Sequence, residues 1–243
     1  MSTPTRIVLE VCVASIEEAV AAASGGADRL ELNMGMELGG LTPTIGLLEE
    51  VKQSVEIPVV AMVRPRPGGF HYSPAELRSM MRDAEMLLAA GTEGIVSGAL
   101  QKDGTLDENF WGSLRRLSED RQLIFHRASD AAKDQMALLK RLVDAGTSRV
   151  LTSGGSETAW VGRNQISRMQ SIFGKQIEIL VGSGVSPDNA VALVQSTGCK
   201  QVHGSFSQRQ HDSSGYLGNQ SVRVTSEHLV ASTRKALDRS FIG

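Results

Sequence analysis

Glu10 and Cys12 stand two residues apart in a strand-like run, and so do Glu31 and Asn33. Strand pleating puts each pair on one face, while Leu9, Val11, Leu30 and Leu32 point the other way. Two inward carboxylates on neighbouring strands are candidate general acids and bases, but a buried glutamate is costly unless paired. The run Val63-Arg64-Pro65-Arg66 supplies the obvious partner charges. Phe125-His126-Arg127, followed by Ser129-Asp130, adds an imidazole and a further guanidinium, and a later run carries His203 and Ser205. Together these outline a polar mouth. In it Glu10 or Glu31 serves as base, His126 as acid or base, and Arg64 and Arg66 clamp a negative group, with Arg127 and His203 beside them. An ion-pair plug that only stabilises the interior is the alternative for Glu10, Glu31 and Arg64, and adding His126 favours a site.

A second group of residues is rich in glycine and serine: Ser153-Gly154, Gly182-Ser183-Gly184 and Gly204-Ser205. Glycine lets backbone N–H groups approach an anion, so Ser153, Gly154, Gly182, Gly184 and Ser205 are candidate anion-binding positions. The plainer alternative is tight turns. Cys12, with Met34 and Met36 nearby in sequence, offers soft donors suited to monovalent copper, or else Cys12 is a small buried hydrophobe. Cys199 precedes the last strand-like run and is expected at the opposite end of the molecule. No CxxC or closely spaced His/Cys set is present, so zinc is not indicated. No lysine lies in the strand-end segments, which disfavours Schiff-base chemistry.

The elements that must position these groups repeat. Eight apolar runs, at residues 7–13, 29–33, 58–63, 93–97, 123–126, 149–153, 177–182 and 201–204, alternate with amphipathic segments. Ser15 is an N-cap for a helix through Ala23, Pro43 marks the start of a second, and Ser73 with Glu76 forms a capping box for a third. Later helices are expected over 108–118, 133–145, 158–173, 187–196 and 226–239. Glycines at Gly25-Gly26, Gly91, Gly146 and Gly198 end helices just before strands. Parallel strands need crossover helices, so this grammar predicts one α/β domain over residues 1–243, a (β/α)8 TIM barrel with its site at the C-terminal ends of the strands. Residues 208–221 read as a polar loop after the eighth strand, and the loop carrying Gly68-Gly69-Phe70-His71 as a lid.

The chain has 243 residues, 41% hydrophobic and 21% charged, with a net charge of −2, which excludes a sequence-wide basic field for nucleic acid. The 4% aromatic content is too low for base-stacking platforms. No apolar run approaches the ~20 residues of a membrane helix. The two cysteines make no disulfide framework and no signal peptide is visible, so a cytoplasmic protein is expected.

The chain resembles the CutC family over nearly its whole length. The matching stretches are Leu9-Glu10-Val11-Cys12, Gly25-Gly26-Ala27-Asp28-Arg29-Leu30-Glu31-Leu32, Gly39-Gly40-Leu41-Thr42-Pro43, Val63-Arg64-Pro65-Arg66, Tyr72-Ser73, Phe125-His126-Arg127-Ala128 and Arg149-Val150-Leu151-Thr152-Ser153-Gly154. The resemblance implies a β/α barrel, often a homodimer, associated with copper homeostasis and weak Cu(I) binding. In copper-binding members, cysteines ending the first two strands are the proposed ligands. Cys12 matches the first, whereas Asn33 stands at the second, and Pro67 stands where glycine is usual. The competing reading is a lyase- or isomerase-like enzyme acting on a small anionic or phosphorylated metabolite.

Overall fold

The computed structural model describes residues 6–212 and 220–241. Eight parallel strands form a closed barrel in sequence order: β1 (Val8–Val13), β2 (Arg29–Leu32), β3 (Val59–Met62), β4 (Gly94–Ser97), β5 (Gln122–Phe125), β6 (Arg149–Thr152), β7 (Glu178–Gly182) and β8 (Gln201–Gly204). Pairing of β8 with β1 closes the ring and sets Glu10 opposite His203. The intervening helices are α1 (Ile16–Ser24), α2 (Ile45–Ser54), α3 (Pro74–Ala89), α4 (Glu108–Ser118), α5 (Gln135–Asp144), α6 (Ala159–Phe173) and α7 (Ala190–Thr197), and α8 (Glu227–Phe241) follows the barrel. Among the described residues no helix is long and apolar enough to cross a membrane.

Local chemistry explains the boundaries. Ser15 caps α1, and Ser73 with Glu76 forms the expected capping box on α3. The second helix begins two residues after Pro43, because the Thr44 hydroxyl accepts from Leu47 N–H and makes Thr44 the cap. Asp134 likewise starts α5 later than the apolar pattern alone suggests. Gly26, Gly91, Gly146 and Gly198 all take positive φ, between 68° and 89°, as the helix stops require.

Outward strand residues such as Leu9, Val11, Leu30 and Leu32 are buried against the helices in the main core. Inside the barrel, Val60, Met62, Val96 and Ile124 form a separate apolar cluster on β3, β4 and β5. Inner positions of β1, β2, β6 and β8 carry Glu10, Cys12, Arg29, Glu31, Arg149 and His203, with Leu151 the apolar exception on β6. The interior is therefore split, apolar on one side and charged on the other.

One expectation is corrected. Residues 208–221 are not simply a loop. β9 (Ser207–Asp212) and β10 (Gln220–Thr225) pair antiparallel, with residues 213–219 outside the described residues. The polar composition conceals this pairing, which is anchored from outside. Thr225 N–H donates to Glu18 and Thr225 Oγ1 to Ser205 O.

The approach of α6 to β6 depends on one residue. A Cβ on Gly162 would stand 1.9 Å from Ser153 O, far inside contact distance. Gly162→Ala should lower unfolding free energy by about 1–3 kcal/mol or more, since overpacking forces backbone shifts. Urea denaturation checks this, and an unchanged midpoint would contradict the packing.

Candidate active site at the barrel mouth

The floor of the barrel interior is an ion-pair network centred on Glu10. Its Oε1 accepts from His203 Nδ1 at 2.8 Å, its Oε2 pairs with Arg29, and Arg149 lies 3.8 Å away. Arg29 also donates to Gln201 at 2.8 Å, and Arg149 to Glu178 at 2.9 Å and Gln122 at 2.7 Å. Burial alone would raise the Glu10 pKa, but Arg29, His203 and Arg149 together hold it well below the carboxylate range. Burial would lower that of His203, yet Cys12, Glu31 and Glu10 raise it well above the ordinary value. The expected partner, Arg64, is thus replaced by Arg29 and Arg149. Both have the inward parity of their strands, a signal the sequence carried.

Above this floor opens a cavity of about 560 Å³. Cys12, Glu31, Asn33 and His203 line its base, and Met36, Met62 and Leu151 give apolar walls. Glu10 lies beneath it rather than on its surface, because Arg29 and His203 already engage both oxygens. Glu31 Oε1 accepts from Asn33 Nδ2 at 3.0 Å, while Oε2 has no partner. Burial, with Glu10 adding to it, raises the Glu31 pKa and favours a neutral carboxyl.

Arg64, Phe70 and His126 form the facing wall. Arg64 is buried and donates to three backbone carbonyls, those of Leu38, Gly40 and Gly68, at 3.0–3.1 Å. The Gly39-Gly40-Leu41-Thr42 motif forms part of this cradle. Gly40 has φ 82°, and a Cβ there would strike Asn33 Oδ1 at 2.5 Å. Arg64 Nε is unpartnered, and among the described residues no carboxylate pairs with this guanidinium. His126 Nδ1 accepts from Ala128 N–H at 3.1 Å, so the neutral ring carries its proton on Nε2, which is also unpartnered. Burial, helped by the nearby Arg64 charge, pushes the His126 pKa down to about 3. Phe70, rather than the exposed His71, covers both groups. Its ring centroid is 5.4 Å from Arg64 Cζ and 5.0 Å from the His126 ring.

Several expected contributors stand elsewhere. Arg66 pairs with Glu76, lies over Tyr72 at 5.0 Å and braces the loop through the carbonyls of Pro67, Gly69 and His71. It staples the loop and is not on the cavity wall. The anion cradle expected at Ser153 and Gly154 is filled by the chain's own Asp130. That carboxylate accepts from Ser153 N–H and Gly155 N–H at 3.0 Å and from Thr152 Oγ1 at 2.6 Å, while Gly154 N–H donates to Thr152 Oγ1. Arg127 at the rim pairs with Asp130 at 2.9 Å. Gly182 is a packing position, since a Cβ there would meet Leu151 at 2.5 Å. Gly184 and Ser205 line an adjoining cavity of about 750 Å³ together with Arg223, which the loop reading of residues 208–221 concealed. The two cavities share Cys12, Met36, Arg127 and His203. Met34 is on neither, whereas Met36 is on both. Cys199 is buried at the far end of the barrel, its thiol pKa pushed up to about 12 by burial.

Donor atoms of Glu10, Glu31 and His203 lie within 4.8 Å of one another, a spacing that could hold a metal ion. Both Glu10 oxygens are already engaged, by Arg29 and by His203, so Glu10 itself is not free to ligate an ion.

The family model for CutC matches residues 7–208. The chain belongs to the CutC family. A CutC family protein of Treponema denticola is 41% identical over 86% of this chain and 85% of its own length. The human copper homeostasis protein cutC homolog is 41% identical over 80% of this chain and 71% of its own. The crystal structure of the copper homeostasis protein CutC from Streptococcus agalactiae superposes with a TM-score of 0.78 at 30% identity, covering 82% of this chain and 98% of the other. In this CutC chain the family-matching stretches supply Cys12, Glu31, the Arg64 cradle and His126 to a single cavity.

The depressed His126 pKa makes a prediction about acid stability. The unfolded ring protonates near pH 6.5, while the folded ring stays neutral until about 3. Between those values the unfolded state binds more protons, so stability falls with pH by up to about 1.4 kcal/mol per unit. His126→Asn keeps an acceptor for Ala128 N–H but does not titrate. Urea midpoints measured from pH 7 to pH 4 should fall less steeply for this variant than for the wild type, and parallel curves would refute the assignment.

Proposed function

We propose that this protein serves copper homeostasis by holding Cu(I) as cargo at the cavity floor, between the Cys12 thiolate and the His203 imidazole, with the Met36 thioether as a further donor. The observation that carries this reading is the Cys12–His203–Glu10 arrangement. Cys12 and His203 line the same cavity, while Glu10 occupies His203 Nδ1 and leaves Nε2, whose proton Cu(I) would displace, as the ligand nitrogen. A carboxylate behind a ligating imidazole fixes the ring and raises its basicity. Thiolate, imidazole and thioether are soft to borderline donors that suit Cu(I). The names of the human and mouse relatives support the same direction. A reducing cytoplasm fits it too, because Cys12 must remain a thiol.

Asn33 sets the strength. It stands at the family's second cysteine position, and an amide is a poor donor for a soft ion. Binding is therefore weak, with one thiolate instead of two. Anaerobic Cu(I) titration against a colorimetric chelator tests the assignment. The wild type should take up one equivalent. Cys12→Ser and His203→Gln should each weaken binding about tenfold or more, the scale on which metal-site substitutions act. Asn33→Cys should tighten it by a similar factor. Equal affinity in the wild type and Cys12→Ser would sink the reading.

A further inference from the structure

The copper reading uses only the floor of the cavity. The facing wall presents a different problem. Arg64 is a buried cation with no carboxylate partner among the described residues; it donates to three carbonyl oxygens, the Tyr72 hydroxyl lies nearby, and its Nε finds no acceptor. A buried unpaired charge is among the most expensive groups a fold can hold. Beside it His126 Nε2–H is a second buried donor without an acceptor. The two belong to side chains that flank the same Phe70 ring. Across the cavity, Glu31 Oε2 and Asn33 Oδ1 are likewise buried and unpartnered. Native proteins leave few such atoms, and four on the side chains around one cavity is a pattern that a ligand explains.

We propose that this cavity is a binding site for a small hydroxy- or oxo-carboxylate. Its carboxylate lies against Arg64 Nε and His126 Nε2, and its hydroxyl or carbonyl faces Glu31 and Asn33. The two donors and one unpaired positive charge match a monoanion. Glu31 Oε2 and Asn33 Oδ1, both without a partner, are placed to hydrogen-bond that oxygen group. Met62 and Leu151 keep the middle apolar, and a volume of about 560 Å³ admits a compact organic molecule. A phosphate ester fits less well. Among the described residues no lysine lines this cavity, and the backbone donors after β6 already hold Asp130. The site does not rest on the copper reading, because its carboxylate contacts do not involve Cys12.

The test uses glycolate, lactate, pyruvate and 2-oxoglutarate as probes, with lactamide, pyruvamide and inorganic phosphate as controls. Thermal shift and titration calorimetry are the readouts, on metal-free protein. At least one carboxylate should raise Tm in a dose-dependent way and give saturable heat, while its amide does not. Arg64→Met should weaken binding about tenfold or more, the loss expected for a charge-assisted hydrogen bond. If Arg64→Met fails to fold, Ala131→Trp carries the test. Ala131 is an exposed residue on the cavity rim, so a bulky side chain there blocks the mouth without touching the Arg64 cradle. Cys12→Ser should bind the carboxylate like the wild type, which separates this site from the copper reading. The proposal is overturned if none of the carboxylates binds, if an amide binds as well as its acid, if phosphate binds and carboxylates do not, or if Ala131→Trp binds undiminished.

Discussion

The burial of Glu10 is the constraint on which the rest of this barrel depends. A carboxylate in the interior must be compensated by opposite charge and hydrogen bonds, or it would take up a proton. Here the compensation comes from β2 through Arg29, from β6 through Arg149 and from β8 through His203. One side chain on β1 thus links four of the eight strands across the interior, including the pair that closes the ring. The same contacts orient the His203 imidazole, whose position beside Cys12 defines the cavity floor. A network that looks purely structural therefore also decides which nitrogen of His203 is available for chemistry.

The split interior follows from this concentration of charge. With β1, β2, β6 and β8 committed to polar groups, β3, β4 and β5 fill their side with Val60, Met62, Val96 and Ile124. The cavity above inherits the asymmetry. Its floor is protic and its middle greasy, while the opposite wall is built by loops after β2 and β3 around Arg64. That wall is rigid for a reason visible in its hydrogen bonds. Arg64 and Arg66 between them tie down the carbonyls of Leu38, Gly40, Pro67, Gly68, Gly69 and His71. Phe70 is thereby held over the two unpartnered donors.

Much of this was legible in the sequence. Period-two alternation with glycine stops gave the eight strands and the inward parity of Glu10, Cys12, Glu31 and Asn33. The choice of partners was not legible by the same route. Arg64 looked like the counter-charge because it lies at a strand end, whereas Arg29 and Arg149 open their strands and so reach Glu10 from below. Parity alone places them inward, but only the stagger of the barrel brings β6 across to β1. The anion cradle after β6 misled for a related reason. Glycine-rich turns offer N–H donors regardless of what fills them, and Asp130, some twenty residues earlier, fills this one. The β9–β10 pair was hidden because its residues are mostly polar and one of its anchors, Glu18, is remote in sequence.

Asn33 shows how one position balances the two uses of the cavity. Its amide donates to Glu31 Oε1 and so fixes the orientation of a carboxyl whose pKa burial and Glu10 raise. A thiol at this position would gain a soft metal donor but would lose the two-proton amide that holds Glu31, because a thiol is only a weak donor. The amide at this position therefore gives up a soft donor and completes a polar pocket base. Arg64, with no carboxylate partner among the described residues, faces that base from the opposite wall.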